Sequence, residues 1–326
     1  MMHFQDPLSQ FIHHLSPQVE VFAQVGLREP WGMAETQLDC GAFSYLRSGR
    51  CVVEVEGQAP IHLRAGQLIL LPYGCAHRIM SEPGVPCLSV SALFEHQTPE
   101  AIRQMNIGGD GAPCQLMCGN IRFSMVQHWG QDPKIGGMPN TIVVDIDPGD
   151  RLENYLTWIY QENLDREAGH DLAMKHLLEL FFLEMLRGLN TLAINPSWLR
   201  ALHDRHLASV ILAIQNNFAR DWTVEELASL AALSRSSFAE RFKRIAGTAP
   251  LQFLRQWRCF IAAERLVTTT DSVQQIAQYC GFQSSDVLIR NFKQFHQTTP
   301  KQYRLGEQGS RAEKSTIHPA LSMISR

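Results

Sequence analysis

The chain has 326 residues, of which 45% are hydrophobic and 19% charged, as in a globular protein of two or three domains. It has no basic, apolar N-terminal segment with a cleavage site and no apolar run near the roughly 18 residues of a membrane span. The eight cysteines form no CxxC pair. We therefore expect a cytoplasmic protein with reduced thiols and no membrane partner.

The formal net charge of −3 conceals an asymmetry between the two ends of the chain. Residues 1–204 carry 13 Lys and Arg against 23 Asp and Glu, whereas residues 205–304 carry 13 against 7. A basic module joined to an acidic body indicates that only one end binds a polyanion. A basic charge that serves only solubility would look the same. Charge alone therefore does not decide whether this module binds a polyanion.

Short apolar or alternating segments between residues 40 and 95 are divided by turn signals. They are CVVEVEG (51–57), APIHL (59–63), QLILLP (67–72) and CLSVSALF (87–94). This spacing predicts strands of an antiparallel sandwich or barrel rather than βαβ units. Residues 106–150 are rich in Gly and Pro, which predicts short strands mixed with loops.

The remainder of the chain has helical periodicity. Residues 150–193 carry two wide apolar stripes, and residues 204–304 contain no strand candidate. The polar segment from Gly306 onward predicts a disordered tail.

A repeat lies within the basic module, since residues 224–253 align with residues 273–303, which have one extra residue in the turn. Each copy predicts a helix–turn–helix unit, with Ser234 in the first and Ser284 or Ser285 in the second capping the second helix. A plain helical bundle with chance similarity is the alternative. The matched pairs are Ala228 with Ala277, Ala232 with Gly281, Arg241 with Arg290, Lys243 with Lys293, and Pro250 with Pro300.

Between the two units, residues 251–267 predict a long, stiff helix. The second helices of the two units can enter successive major grooves, which lie about 34 Å apart, only when a stiff connector fixes the distance between them.

With the ending GF…S…RNFKQF…TTPKQYR, residues 205–304 resemble the DNA-binding module of AraC/XylS-type transcription regulators. The resemblance implies a sequence-specific regulator whose partners are double-stranded promoter DNA and RNA polymerase, with activation the usual mode and repression also found. Two residues depart from the pattern of that family. Gln297 replaces a glycine that is present as Gly247 in the first unit, and Ile289 lies near the expected DNA side.

The resemblance also implies which side chains contact DNA. We expect the strongest contacts from Arg241 and Arg290. Glu240 and Asp286 either accept hydrogen bonds from bases or orient an arginine, and Asp286 also suits the first turn of a helix. The candidates are Arg235, Ser236, Ser237, Glu240, Arg241 and Lys243 in the first unit and Ser285, Asp286, Ile289, Arg290 and Lys293 in the second.

The N-terminal half contains GQLILLPYGCAH (66–77), which matches the second motif of cupins. The histidines of the first cupin motif are missing from AFSYLRSGRCVVEVEG (42–57), and a lone His77 does not make a metal site. We therefore predict neither metal nor cofactor. His77 is either a satisfied core histidine or part of an effector pocket, for which Tyr45 and Tyr73 are further candidates.

The arrangement resembles AraC regulators with a cupin-type sensor, which implies an unknown small effector and a homodimer. The fold class is multi-domain α+β: a cupin-like β-barrel followed by helices, then an all-α domain with two helix–turn–helix units joined by a long helix. We expect an effector domain over 1–148, a dimerisation or linker segment over 149–196, a DNA-binding domain over 204–305 and a tail over 306–326.

Two other functions compete with the effector-controlled regulator. Cys75 lies next to His77 in the cupin motif, Cys87 lies on the next predicted strand, and Cys114 and Cys118 form C-x3-C in a predicted loop. These four thiols are candidates for a redox switch, although most buried cysteines are inert. A metal-dependent cupin enzyme fused to a DNA-binding module is the weaker alternative, and we predict no enzymatic activity.

Overall fold

A computed structural model describes residues 5–15, 18–38, 40–94, 97, 101, 106–122, 139–189 and 197–306. These residues belong to two compact units. A sheet unit contains every described strand and the helices that follow the strands up to residue 189, and a helical unit contains the rest. All but the first residue of the predicted disordered tail lies outside the described residues.

The sheet unit is built from two sheets, in the strand orders β11-β6-β3-β10-β1-β9 and β5-β4-β7-β2-β8. Most strand pairs are antiparallel, as predicted, but the edge strands β9 and β8 pair in parallel with β1 and β2. The strands are β1 Gln18–Arg28, β2 Gly32–Glu35, β3 Gly41–Ser48, β4 Arg50–Val55, β5 Ile61–Arg64, β6 Gln67–Leu71, β7 His77–Met80, β8 Leu88–Ser89, β9 Asn106–Gly108, β10 Pro113–Arg122 and β11 Ile142–Asp145.

The two sheets enclose one apolar core. Alternate residues of β1, namely Ala23, Val25 and Leu27, lie in this core because successive strand side chains point to opposite faces. β1 and β10 pair from Gln18 opposite Arg122 to Arg28 opposite Pro113, with one irregularity. This long ladder forms the centre of the larger sheet.

The segment 87–94 differs from the strand predicted there. Only Leu88–Ser89 form a strand, and Val90–Phe94 form a short helix, α2. Val90, Leu93 and Phe94 pack against the core, and their i, i+3, i+4 spacing is that of one helical face. The prediction was wrong because the apolar residues of this run follow the helical period.

Most other helices lie in the predicted helical regions, but those over Pro7–Leu15 and Ser197–His203 were not predicted. The long connector between the two repeats is α9, whose 19 residues span roughly 28 Å at 1.5 Å per residue. The helices are α1 Pro7–Leu15, α3 Arg151–Asp165, α4 His170–Leu189, α5 Ser197–His203, α6 Ala208–Asn216, α7 Val224–Leu230, α8 Arg235–Ala246, α9 Pro250–Thr268, α10 Val273–Tyr279 and α11 Ser285–His296, followed by a helical segment over 300–306.

Helix α1 precedes the strands in sequence but packs in the helical unit, against α6 and α9. The buried Phe11 ring lies 6.0 Å from the Trp257 ring and 6.3 Å from that of Phe260. His14 Nδ1 lies 3.1 Å from Glu264 Oε2. The expected sensor segment 1–148 thus begins with a helix that completes the core of the other unit.

The two repeats are helix–turn–helix units, α7–α8 and α10–α11, as predicted. Ala228 and Ala277 are buried where the paired helices approach each other. The turns contain left-handed residues at the two aligned positions, Ala232 (φ 52°) and Gly281 (φ 77°). A Cβ on Gly281 would lie 2.4 Å from the Ala219 carbonyl oxygen, so this turn requires glycine for space as well as for φ.

The ends of α8 and α11 differ as the sequence indicated. Both terminate in the left-handed conformation, at Gly247 (φ 74°) and at Gln297 (φ 53°). This conformation costs a residue with a Cβ about 1–2 kcal/mol, whereas glycine adopts it without steric cost.

We therefore expect Gln297→Gly to stabilise α11 by about 0.5–1 kcal/mol, once the larger chain entropy of glycine is subtracted. The measurement is native-state hydrogen exchange of peptides that cover α11 in the full chain. The matched control is Gly247→Gln, which should accelerate exchange in α8. Faster exchange of α11 in the Gln297→Gly variant would contradict the assignment of backbone strain to this residue.

Candidate nucleic-acid interface

The second helix of each repeat is fixed by the same two devices. The hydroxyl oxygens of Ser234 and Ser284 accept hydrogen bonds from the amides of Ser237 (3.2 Å) and Val287 (3.3 Å), which caps α8 and α11. Phe238 and Phe242 in α8, like Leu288 and Phe292 in α11, are fully buried at i, i+4 spacing. The opposite face of each helix is thereby left for solvent.

The caps show that one predicted match between the repeats was wrong. Because Ser234 and Ser284 begin α8 and α11, equivalent residues of the two helices differ by 50 in number. Arg241 therefore matches Asn291, and Arg290 matches Glu240. The extra residue in the second turn changes the offset from 49 to 50 between the first and second helices.

Each helix exposes an equivalent stripe of side chains. Within the described residues, the stripe side chains Glu240, Lys243, Arg290 and Lys293 make no hydrogen bond or ion pair. The stripe is Ser236, Ala239, Glu240, Lys243 and Arg244 on α8 and Asp286, Ile289, Arg290, Lys293 and Gln294 on α11, all exposed except the half-buried Ala239.

The remaining predicted contact residues lie beside these stripes. Arg235 is exposed and pairs with Glu225 of α7 at 2.8 Å, and Ser237 belongs to the capping cluster around Ser234. Ser285 is half-buried at the start of α11. Arg241 is held by an ion pair with Asp204.

A buried arginine, which the sequence patterns did not reveal, connects the second repeat to the segment that leads into the first. Arg258 in the middle of α9 donates through Nε to the Phe218 carbonyl at 2.7 Å and through a terminal nitrogen to the Gly281 carbonyl at 2.7 Å. Its other terminal nitrogen reaches the carbonyls of Ala219 (3.3 Å) and Arg220 (2.9 Å). One guanidinium thus joins the segment before the first repeat to the turn of the second.

A cavity of about 30 Å³ lies between the two sheets of the sheet unit. Its lining is mostly apolar, with polar groups from Glu35, Ser44, His77 and Asn120. The Asn120 Oδ1 atom is buried and finds no hydrogen-bond partner among the residues that the structure describes. This volume holds little more than ordered water, so a larger ligand requires the lining to move.

His77 is the predicted pocket residue that lines this cavity. Burial lowers the pKa of His77, although Nδ1 donates a 2.9 Å hydrogen bond to the Cys75 carbonyl. The neutral ring therefore presents Nε2 as an acceptor. Tyr45 adjoins Ser44 on β3 and so points to the opposite face, and Tyr73, half-buried in a turn, is also not among the lining residues.

Two of the candidate redox cysteines lie in the core. Cys114 and Cys118 are on β10, not in a loop as predicted. The four residue steps from one to the other along the strand span about 13 Å, which is too far for a disulfide. Burial raises the pKa of Cys114 to about 12 and that of Cys118 to about 11. Both are therefore thiols at neutral pH, which is the unreactive form.

The other two candidates are partly buried, Cys75 against the core and Cys87 before β8. Burial raises the pKa of Cys87, against the opposing effect of Arg78. A neutral His77 supplies no positive charge that would activate the neighbouring thiol.

Across the residues that the structure describes, no group of three or more His, Cys, Asp or Glu side chains could hold a metal ion. Each helix in the described ranges is too short or too polar to cross a membrane.

Comparison with known proteins identifies both units. A family model described as "Cupin" matches residues 6–190, and one described as "Helix-turn-helix domain" matches residues 227–306. The chain is 28% identical to the HTH-type transcriptional regulator AlkR of Acinetobacter baylyi over 74% of this chain and 79% of that protein. It is 28% identical to a putative AraC-like transcription regulator of Streptomyces lividans, over 92% of this chain and 98% of the relative.

A solved structure of the DNA-binding domain of AdpA in complex with a target DNA is also similar, at 33% identity and a TM-score of 0.30, over 33% of this chain and 94% of that chain. With a cupin model that covers more than half of its length and a helix–turn–helix model at its C-terminal end, the chain belongs to the cupin-containing AraC family of DNA-binding transcription regulators.

Proposed function

We propose that this regulator acts in the cytoplasm as a homodimer that activates transcription through RNA polymerase, under the control of a small effector bound by its cupin domain. The observation that carries the DNA-binding part is the pair of capped helices, α8 and α11, with equivalent exposed stripes on one helical unit. Activation follows the usual mode of the resembled family.

The stripes are proposed to enter the major groove, with side chains of different chemistry at equivalent positions. Glu240 accepts hydrogen bonds such as those from cytosine N4, whereas Arg290 donates to guanine O6 and N7. Lys243 and Lys293 occupy equivalent positions and suit phosphates, which fix the helix without reading the sequence. Ile289 suits the methyl group of thymine. The two helices therefore select different bases.

We expect Arg290→Ala to weaken binding to a mapped chromosomal site by about 1–3 kcal/mol and to relax selectivity at one base pair. Glu240→Ala at the equivalent position of α8 should relax selectivity at a different base pair. The measurement is gel-shift titration against singly substituted sites, with Arg64→Ala on the exposed surface of the sheet unit as control. Unchanged selectivity in both variants would remove the stripes from the interface.

The dimer is proposed to form through α3 and α4. These helices expose large apolar side chains that are normally buried: Trp158 (53% exposed), Leu164 (50%), Leu172 (61%) and Leu180 (43%). Apolar surface of this kind on a water-facing helix is typical of a protein interface, and a second copy of the chain is the partner proposed for it.

We expect Trp158→Glu to shift the protein toward monomer in sedimentation velocity at micromolar concentration, because the charge would be buried in the interface. Leu305→Glu, at a similarly exposed leucine of the helical unit, is the matched control and should leave the distribution unchanged. A wild-type protein that is monomeric under these conditions would rule out this interface.

The cupin domain is proposed to bind its effector in the cavity beside His77 and Asn120. The unpaired Asn120 Oδ1 atom favours a mostly apolar ligand that donates at least one hydrogen bond. The relatives are transcription regulators, so we propose binding rather than catalysis as the role of this domain. A thiol switch is the second candidate, centred on the less buried Cys75 and Cys87.

One reporter assay on the regulator's own target promoter separates the two kinds of sensing. We expect Ala23→Val, which fills the cavity, to abolish the response while DNA binding in vitro persists. The double variant Cys75→Ser/Cys87→Ser should respond as the wild type does. The opposite pattern would transfer the sensing role from the cavity to the thiols.

A further inference from the structure

The first repeat contains an arginine whose surroundings differ from those of every other predicted DNA contact. Arg241 on α8 forms a two-point hydrogen-bonded ion pair with Asp204, from Nε to Oδ1 at 3.1 Å and from a terminal nitrogen to Oδ2 at 2.6 Å. The side chains of Arg241 and Asp204 are only 28% and 11% exposed. A forked pair of this kind fixes the guanidinium in direction as well as in distance.

Asp204 is itself held in place. Its Oδ1 accepts hydrogen bonds from the amides of His206 (3.0 Å) and Leu207 (3.2 Å) in the turn between α5 and α6. Burial alone would raise the pKa of the Asp204 carboxyl. These bonds and those from Arg241 nevertheless hold this pKa below its usual value. The carboxylate is therefore charged and satisfied before any ligand arrives.

The same turn contacts the first repeat a second time. His206 Nδ1 donates to the Ala231 carbonyl at the end of α7 (2.9 Å), while Arg205 donates to His206 Nε2 (3.1 Å). Helix α5, which precedes the turn, packs directly against α8. We call α5 and this turn, residues 197–207, the linker; they follow the segment 149–196 in which a linker was expected. We call Asp204, His206 and Arg241, with the Ala231 carbonyl, the linker latch.

The second repeat provides an internal comparison. Asn291, the equivalent of Arg241, is buried and donates to the Val287 carbonyl of its own helix at 2.8 Å. This helical position faces the flank of the repeat in both units and lies outside the exposed stripes. In the second repeat, the residue at this position therefore bonds to its own helix. In the first repeat, the residue at this position is Arg241, which contacts the linker.

We propose that Arg241 is a positioning residue, which sets α8 on DNA by fastening it through Asp204 to the turn after linker helix α5, and that it does not itself contact DNA. This rests on the proposed function of α8. Because α5 also packs against α8, the latch and this packing together join the linker to the first repeat.

The test is a double-mutant cycle in the full chain, with the affinity for a mapped site measured between 50 and 200 mM salt. Asp204→Ala and Arg241→Ala should each weaken binding by a similar factor, on the order of tenfold, and the double variant no more than either. The slope of log affinity against log salt should be unchanged in all three, because no phosphate contact is lost. Lys243→Ala, two residues along the same helix, should reduce the slope by about 0.9.

Asp204→Asn keeps an oxygen that can accept from the amides of His206 and Leu207 but removes the charge that pairs with Arg241. It should weaken binding by the same factor as Arg241→Ala, which separates loss of the ion pair from misfolding of the turn. A lower slope in Arg241→Ala together with unchanged affinity in Asp204→Ala would show a phosphate contact and overturn the latch. Unchanged affinity in both single variants would overturn it as well. If Lys243→Ala and Lys293→Ala also leave the slope unchanged, the proposed binding of DNA by these helices is what has failed.

Discussion

The arrangement of the DNA-binding unit depends on one buried guanidinium. Arg258 lies at the middle of α9 and satisfies carbonyls on both sides of it, from residues 218–220 and from Gly281. Removing the arginine would leave the buried Phe218 carbonyl without this donor, at a cost of about 1–3 kcal/mol, and would break the bonds to the more exposed carbonyls as well. Because its acceptors belong to different parts of the unit, Arg258 sets the second repeat relative to the segment that leads into the first.

The hydrogen bonds of Arg258 matter because α8 and α11 are built in the same way. Both helices use a serine cap and two buried apolar residues to present one stripe outward. For the two stripes to enter successive grooves, as proposed, the distance between them must be fixed. Helix α9 and the hydrogen bonds of Arg258 hold the surrounding elements together. Asp204 and Arg241 fasten the first repeat to the linker, a connection for which the second repeat has no counterpart at Asn291.

Much of this architecture was predictable because it rests on local patterns. The period of apolar residues identified α3, α4 and α9, and turn signals separated the strands around the cupin motif. The serine caps and Gly281 identified the two repeats. Each of these signals is contained in a few neighbouring residues.

The features that the sequence concealed depend on contacts between distant residues. Nothing near Arg258 or Asp204 indicates which partners, 23 to 40 residues away, will meet them. Cys114 and Cys118 were predicted to lie in a loop because their strand, β10, begins at Pro113 and contains Gly119, two residue types that are typical of loops. The match of Arg241 with Arg290 failed because it kept the offset of 49 beyond the extra residue of the turn, whereas the helix caps at Ser234 and Ser284 show an offset of 50 throughout the second helices.

One chain is proposed to place two helices in successive major grooves. Hydroxyl-radical footprinting of the full-length protein on a mapped chromosomal site tests it most directly. The structure predicts two protected segments per chain on one face of the duplex, centred about 10 base pairs apart. A single protected segment per chain, or two whose spacing is unrelated to the helical repeat, would contradict the account.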